Sequence, residues 1–327
     1  MADPRDSTSP FGVLDFLSWD DEKHGSHYHG AQFQKSFSLM REAGVGFVRF
    51  DFLWDDIEPA PGRFVFDKYD RIVNAALKHD IKVLGLLVYN PAWSGQAWNH
   101  APDPMAYARF AQRVVDHFKD RIRHWQLWHE PDNPAFWQHQ DKMQGYTALL
   151  KQTYPLLKAA DPSCIIHLAG MSRSLPGGLK SVYENGGQPF FDVIAIHPFA
   201  NPLMPGALEA LHHLYQTVRR VVEQNGDTEK PIWLTEIGCP GMRDPRAAPN
   251  WWLGKNPDET VQAEWVKTIY TGALEWAGVE KIFWCFFRDT KDHFKSGSDY
   301  DGLIRHDFSK KPSFEAYRNL TSSFIKR

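Results

Sequence analysis

Two glutamates, Glu130 in "HWQLWHEPD" (124–132) and Glu236 in "PIWLTEIG" (231–238), stand at the ends of apolar runs. A carboxylate at the end of a buried segment is costly unless it is paired or has work to do. One such glutamate would be accounted for by a buried ion pair. Two that converge offer a further chemistry: a carboxylic acid that protonates a departing oxygen, and a carboxylate that attacks, or activates water at, an anomeric carbon. Arg49, closing "FVR", is the obvious cation for such a pair, with an ion pair to Asp51 or Asp55 as its alternative role. His197 in "IHPF" can hydrogen-bond Glu236 or a sugar hydroxyl, or serve as a satisfied core histidine. A rival chemistry comes from His24, His27 and His29 in "HGSHYHG", whose His-x-His spacing suits a metal ion. Such a barrel needs further ligands at later strand ends, and His167 comes too early in its run to reach them.

These residues must be delivered to one place by the elements that carry them. Eight short apolar runs occur at 11–18, 46–54, 82–90, 124–131, 165–172, 191–199, 231–238 and 281–289. Their near-continuous hydrophobicity is that of parallel strands covered on both faces. Amphipathic segments alternate with them. Tyr69, Ile72, Val73, Ala76 and Leu77 fall at helical spacing, as do Tyr107, Phe110, Ala111, Val114 and Val115. Further helices are expected over 30–43, 142–160, 206–224, 258–277 and 312–324, with a short one near 177–185. Asp103 before Pro104, and Asn256 before Pro257, read as N-caps with proline at the first helical position.

Strict alternation without a Gly/Ser-rich or Pro-rich linker predicts an α/β fold, a single-domain (β/α)₈ barrel over residues 11–327, preceded by a tail over 1–10. In that fold the chemistry sits at the carboxyl ends of the strands, where Glu130 and Glu236 both lie. A dinucleotide site is not expected, because the first run leads into "WDDEKHGSHYHG" rather than a glycine-rich phosphate turn.

The net charge of −3, with 37 basic against 40 acidic residues and no long run of one sign, argues against nucleic acid or an anionic membrane surface as partner. Thirteen Trp and eleven Tyr supply flat apolar faces of the kind that sugars stack on, though most Trp in any protein are core; the expectation of a carbohydrate partner rests on the two glutamates. Three cysteines, all in or beside apolar segments, do not suggest a disulfide framework. The polar opening "MADPRDSTSP" and the absence of a bilayer-length apolar run give a soluble chain, cytoplasmic or exported with its signal replaced. Oligomeric state is left open.

The motifs also carry a resemblance. "WHEPD" around Glu130 and "WLTEIG" around Glu236 resemble the acid/base and nucleophile motifs of glycoside hydrolase clan A, whose members are retaining (β/α)₈ enzymes. "GVGFVRFDFLWDDIEPAPGRFVFDKYDRIVNAALKHDIKVLGLLVYNPAW" (44–93) and "GLIRHDFSKKPSFEAY" (302–317) are similar to other parts of that clan. "WQLWHEPDNPAFW" looks most like family 39. The resemblance implies Glu130 as general acid/base in an aromatic, poorly solvated setting and Glu236 as nucleophile, held ionised by its neighbours. It implies a supporting role for Arg49 and no cofactor or metal. His129 stands where the clan usually has an Asn that hydrogen-bonds the sugar 2-hydroxyl; an imidazole can donate one such bond, but is larger and titratable, or it simply packs beside Glu130. Trp284 in "FWCFF" falls where the clan has a platform under the sugar, though an aromatic there can equally fill the barrel. Trp93, Trp98, Trp137, Trp251 and Trp252 fall in strand-to-helix loops, and together with Asp132 supply further candidates for substrate contact. The reading from another class is a carbohydrate-binding barrel without catalysis, and a third is a metal-dependent hydrolase using His24, His27 and His29.

Overall fold

The computed structural model describes residues 9–20, 27–249 and 255–325. Eight strands are present: β1 Phe11–Leu14, β2 Phe47–Leu53, β3 Lys82–Val88, β4 His124–Leu127, β5 Ile165–His167, β6 Ile194–Ile196, β7 Ile232–Ile237 and β8 Val279–Cys285. All pair in parallel, in the order β5-β4-β3-β2-β1-β8-β7-β6. The two ends meet through parallel bridges His167 to Val193 and Met171 to Ile196, which close the barrel. This is the expected (β/α)₈ architecture.

Helices follow the strands: α1 Phe33–Ala43, α2 Trp54–Ile57, α3 Asp67–Lys78, α4 Pro104–Phe118, α5 Lys142–Ala160, α6 Leu175–Glu184, α7 Ala207–Gln224, α8 Glu259–Ala273 and α9 Pro312–Ile325. The one-turn α2 is not signalled by helical periodicity. It forms directly off β2, where the Trp54 indole donates to Glu58 Oε2 at 2.7 Å. Asp103 caps α4 as expected, its carboxylate accepting from the Ala106 amide at 2.7 Å. Asn256 does not cap α8. Asp258 does, accepting from the Thr260 and Val261 amides, while the Asn256 amide donates to the carbonyls of Pro245 and Ala248. Both residue types satisfy helix N-termini, so local sequence did not choose between them.

Two layers of packing hold the barrel. Between strands and helices lies the main apolar core. Inside the barrel, Phe47, Leu84, Val193, Trp233 and Phe283 form a plug at the amino-terminal end. Above that plug the interior turns polar, with Arg49, Gln126, His197 and Thr235 all buried. The strands are shorter than the apolar runs because the residues past each strand end have left the ladder to become the functional loops.

Backbone close to large rings sets the tightness of the sheet. An added Cβ at Gly85 on β3 would lie 2.5 Å from Trp125 Cζ3. Overpacking of this kind costs roughly 1–3 kcal/mol. Gly85→Ala should therefore lower the midpoint of denaturant unfolding by that amount of free energy, with the slope of the transition unchanged.

Candidate active site

The end of β4 is built by a sharp change of backbone direction. Trp128 and Glu130 have φ of +69° and +42°, in a region that non-glycine residues occupy at a cost of roughly 1–3 kcal/mol each. Packing enforces it. The Trp128 indole is fully buried, donates to the Phe136 carbonyl at 3.0 Å, and packs edge-on against Trp137 and Tyr107. The Asn133 amide N–H then closes on the Glu130 carbonyl at 2.9 Å. The result turns the Glu130 side chain into the mouth.

Arg49, 0% exposed, organises the interior. Its Nε donates to Gln126 Oε1 at 2.6 Å, its Nη1 to Glu236 Oε1 at 2.6 Å, and its Nη2 faces His129 Nδ1 at 3.2 Å. The ion pair therefore goes to Glu236. Asp51 and Asp55 find other partners, Trp19 Nε1 and the Ala92 amide. Because a guanidinium only donates, His129 Nδ1 must accept, and the hydrogen of its neutral ring sits on Nε2.

The same logic fixes His197. Gln126 Oε1 faces Arg49, so its Nε2 donates to the Leu168 carbonyl at 3.0 Å and towards Thr235 Oγ1 at 3.4 Å. The Thr235 hydroxyl then gives its hydrogen to His197 Nε2, 3.0 Å away, and His197 Nδ1–H donates to Glu130 Oε1 at 2.8 Å. Room for that ring comes from Gly170, where a Cβ would lie 2.0 Å from His197 Nε2. The second oxygen of Glu130 accepts from Asn133 Nδ2 at 2.8 Å. Glu130 is thus held in a polar cradle, not in the expected aromatic one.

Glu130 and Glu236 face each other across His197, whose Nδ1 lies 2.8 Å from Glu130 Oε1 and 3.8 Å from Glu236 Oε2. Cys285 Sγ closes the far side of Glu236 at 3.9 Å. Burial pushes the imidazoles down, His129 to about 3 and His197 to about 4. For His129 the charge of Arg49 adds to burial and that of Glu130 opposes it; for His197 Arg49 adds and Glu236 opposes.

The other expected contacts divide. Trp284 is fully buried among the residues between sheet and helices, and its indole donates to the Asp301 carbonyl at 2.9 Å. Its place as a platform is not supported: β8 alternates, so Phe283 and Cys285 face inward and Trp284 faces the helices. Phe286, next along, instead packs with Leu14, Phe16 and Phe199. Trp137 is buried, with its N–H on the Lys142 carbonyl. Trp93 is half-buried and donates to the Glu58 carbonyl at 2.6 Å. Asp132 clamps the turn after β5, accepting from the amides of Ser172, Arg173 and Ser174. Each of these has a structural duty. Trp98, half exposed, stands instead at the surface, edge-on to Tyr89, with Phe136 joining Tyr89 and His129. His24, Trp251 and Trp252 lie outside the described residues.

The rival metal chemistry gains nothing from the described residues of the first loop. His27 is buried against Phe16 and His293, while His29 is exposed. Among the described residues, the metal-binding atoms close enough to share an ion are those of His129, His197 and Glu236, within 4.8 Å of one another. The Arg49 guanidinium already lies against two of them, so a cation there would meet an existing positive charge.

Comparison with known proteins follows the barrel. The glycoside hydrolase family 42 model, described as beta-galactosidase, matches residues 24–98, a stretch that ends before either glutamate. A family 39 glycoside hydrolase from the gut symbiont Bacteroides cellulosilyticus superposes with a TM-score of 0.74 at 24% identity, over 97% of this chain and 64% of its own. The chain thus spans less than two thirds of that enzyme's length. A family 39 beta-xylosidase from Caulobacter crescentus gives 0.67 at 18%, over 97% and 72%. Xylanase 10B from Thermotoga maritima gives 0.66 at 19%, over 97% and 95%. The fold is theirs. Two of these three carry the family number that the strand-four motif resembles.

The tautomers give a direct check. Long-range ¹H–¹⁵N spectra should show the hydrogen on Nε2 of His129 and Nδ1 of His197, with neither ring charging between pH 8 and 5. The unfolded chain takes up these protons near pH 6.5 and the folded one only near 3 to 4, so U binds more protons in that window. Stability should fall as pH drops from about 6.5 towards 4, by at most ~1.4 kcal/mol per pH unit for each histidine. His197→Gln should flatten that slope.

Proposed function

We propose that the protein is a retaining glycoside hydrolase acting on a β-linked sugar, with Glu236 as nucleophile and Glu130 as general acid/base. The observation that carries the reading is the opposed pair. The two legs through His197 Nδ1, 2.8 Å and 3.8 Å, bound the separation of the facing oxygens. Even laid end to end they reach only the lower edge of the roughly 6.5–9.5 Å that inverting enzymes use, and any bend brings the pair towards the ~5–5.5 Å of retaining ones.

The chemistry follows from what each carboxyl touches. Arg49 anchors Glu236 through one oxygen, which leaves Oε2 as the attacking atom. Attack forms a bond from that oxygen to C1 and breaks the bond from C1 to the leaving oxygen, whose electron pair is captured by the proton of Glu130. Glu130 then takes a proton from water as the water oxygen displaces Glu236 from C1. Two inversions restore the β configuration. Asn133 and His197 hold the Glu130 carboxyl through both halves of the cycle. In this reading His129 Nε2–H, which has no protein partner among the described residues, donates to the 2-hydroxyl, the one such bond an imidazole can give where the clan usually has Asn.

A panel of aryl β-glycosides and β-linked oligosaccharides tests this. The wild type should release sugar whose first-formed anomer is β by ¹H NMR, and Glu236→Gln should lose at least ~10³-fold in kcat. Glu130→Ala should recover turnover of activated aryl glycosides when azide is supplied, yielding the β-glycosyl azide. An α first product would refute the retaining mechanism. Sugar binding without turnover on any substrate would favour the carbohydrate-binding barrel.

A further inference from the structure

The inward face of β2 reads Phe47, Arg49, Asp51. Phe47 belongs to the apolar plug and Arg49 to the layer that holds Glu236. Asp51 is one step further towards the mouth, about 6.6 Å along the strand from Arg49 at ~3.3 Å per residue. It is a third carboxylate at the site.

Its partners are few and fixed. The Trp19 indole donates to Asp51 Oδ2 at 3.0 Å, and Ser18 Oγ donates to the Asp51 carbonyl at 2.8 Å. Oδ1 has no hydrogen-bond partner among the described residues. Among the described residues the nearby cations are spent elsewhere: Arg49 on Gln126, Glu236 and His129, and Lys68 on Asp20, Asp56 and the Ser18 carbonyl. Burial pushes the Asp51 carboxyl up to about 6, with Arg49 and the Trp19 hydrogen bond opposing and Glu236 reinforcing. Its charge also raises the hydroxyl of Tyr89, after the larger effect of burial.

A carboxylate with one oxygen pinned by an indole keeps its other oxygen as an acceptor, and a sugar bound against it must supply the donor. With C1 held between Glu130 and Glu236 and C2 beside His129, the groups that reach one rung further out are those on the opposite edge of the ring. Building on the glycosidase reading, we propose that Asp51 accepts hydrogen bonds from the C3 and C4 hydroxyls of the sugar undergoing cleavage. It thereby selects a neutral, hydroxyl-bearing glycone over one with an anionic substituent at that edge.

The test is an enzyme-by-substrate cycle. Wild type and Asp51→Asn are assayed on the best aryl β-glycoside and on its 3-deoxy and 4-deoxy analogues. For the wild type, removal of the hydroxyl that Asp51 reads should lower kcat/KM ~10–100-fold, the range for a hydrogen bond to a charged group. Asp51→Asn should lose a similar factor on the parent glycoside and then little more on the deoxy analogue. Equal deoxy penalties in both enzymes would overturn the proposal and leave Asp51 as a support for Trp19. Trp19→Phe removes the indole donor but keeps the carboxylate, so its deoxy penalty should match the wild type. Should Asp51→Asn not fold, the wild-type series still decides: penalties below ~3-fold at both C3 and C4 overturn it. Absence of turnover on every parent glycoside would instead remove the glycosidase reading on which it rests.

Discussion

A guanidinium buried on the axis of a closed barrel dictates the arrangement around it. Arg49 has no exposure and cannot shed its charge, so each of its nitrogens needs an acceptor. It finds Gln126 on β4, Glu236 on β7 and His129 just past β4. The ends of β4 and β7 are thereby tied to one planar group carried by β2. The amide orientation of Gln126, the tautomer of His129 and, through Thr235, the tautomer of His197 all follow from that one constraint. The hydrogen on His197 Nδ1 then points at Glu130, which connects Arg49 to the second carboxyl without touching it.

The two glutamates consequently differ in kind. Glu236 meets a fixed positive charge on one oxygen and only a thiol and an imidazole edge near the other. Glu130 meets, among the described residues, a neutral donor on each oxygen, His197 and Asn133. Such asymmetry is what a double displacement requires, since one carboxyl must stay a nucleophile while the other exchanges a proton twice. The left-handed backbone at Trp128 and Glu130 supplies the geometry, and a cluster of buried aromatic rings behind it supplies the packing that holds it.

Much of this was legible in the sequence, for identifiable reasons. Parallel strands covered on both faces leave continuous apolar runs, so eight strands could be counted. A glutamate closing such a run is conspicuous, so Glu130 and Glu236 were found, and the cation in "FVR" with them. What stayed hidden depends on which face of a strand a residue takes. Trp284 looked like a platform by position in its motif, yet inward Phe283 and Cys285 on either side force it towards the helices. Trp137 and Asp132 looked available because they follow Glu130, but both are consumed in shaping the loop that carries it. Gln126, Thr235 and Asp51 are inconspicuous as letters. Counting in twos from Arg49 along β2 would have placed Asp51, since period-two alternation is the signal strands do carry.

The histidine beside the acid shows why residue type alone understates a site. In a free chain an imidazole is a weak substitute for an amide, because it can charge and because either nitrogen can carry the hydrogen. Here burial lowers its proton affinity, its pKa falling to about 3, and Arg49 commits Nδ1 as acceptor. What remains is a neutral ring with one donor, Nε2–H, aimed away from Arg49. In the reaction proposed above, that single hydrogen does what one N–H of an amide would do at the sugar 2-hydroxyl. The larger ring needs more room, and Phe136, edge-on at 4.4 Å, forms its wall. The substitution is therefore readable only as a set: in that proposed reaction His129 can stand in for an amide because Arg49 and Phe136 restrict it to one form.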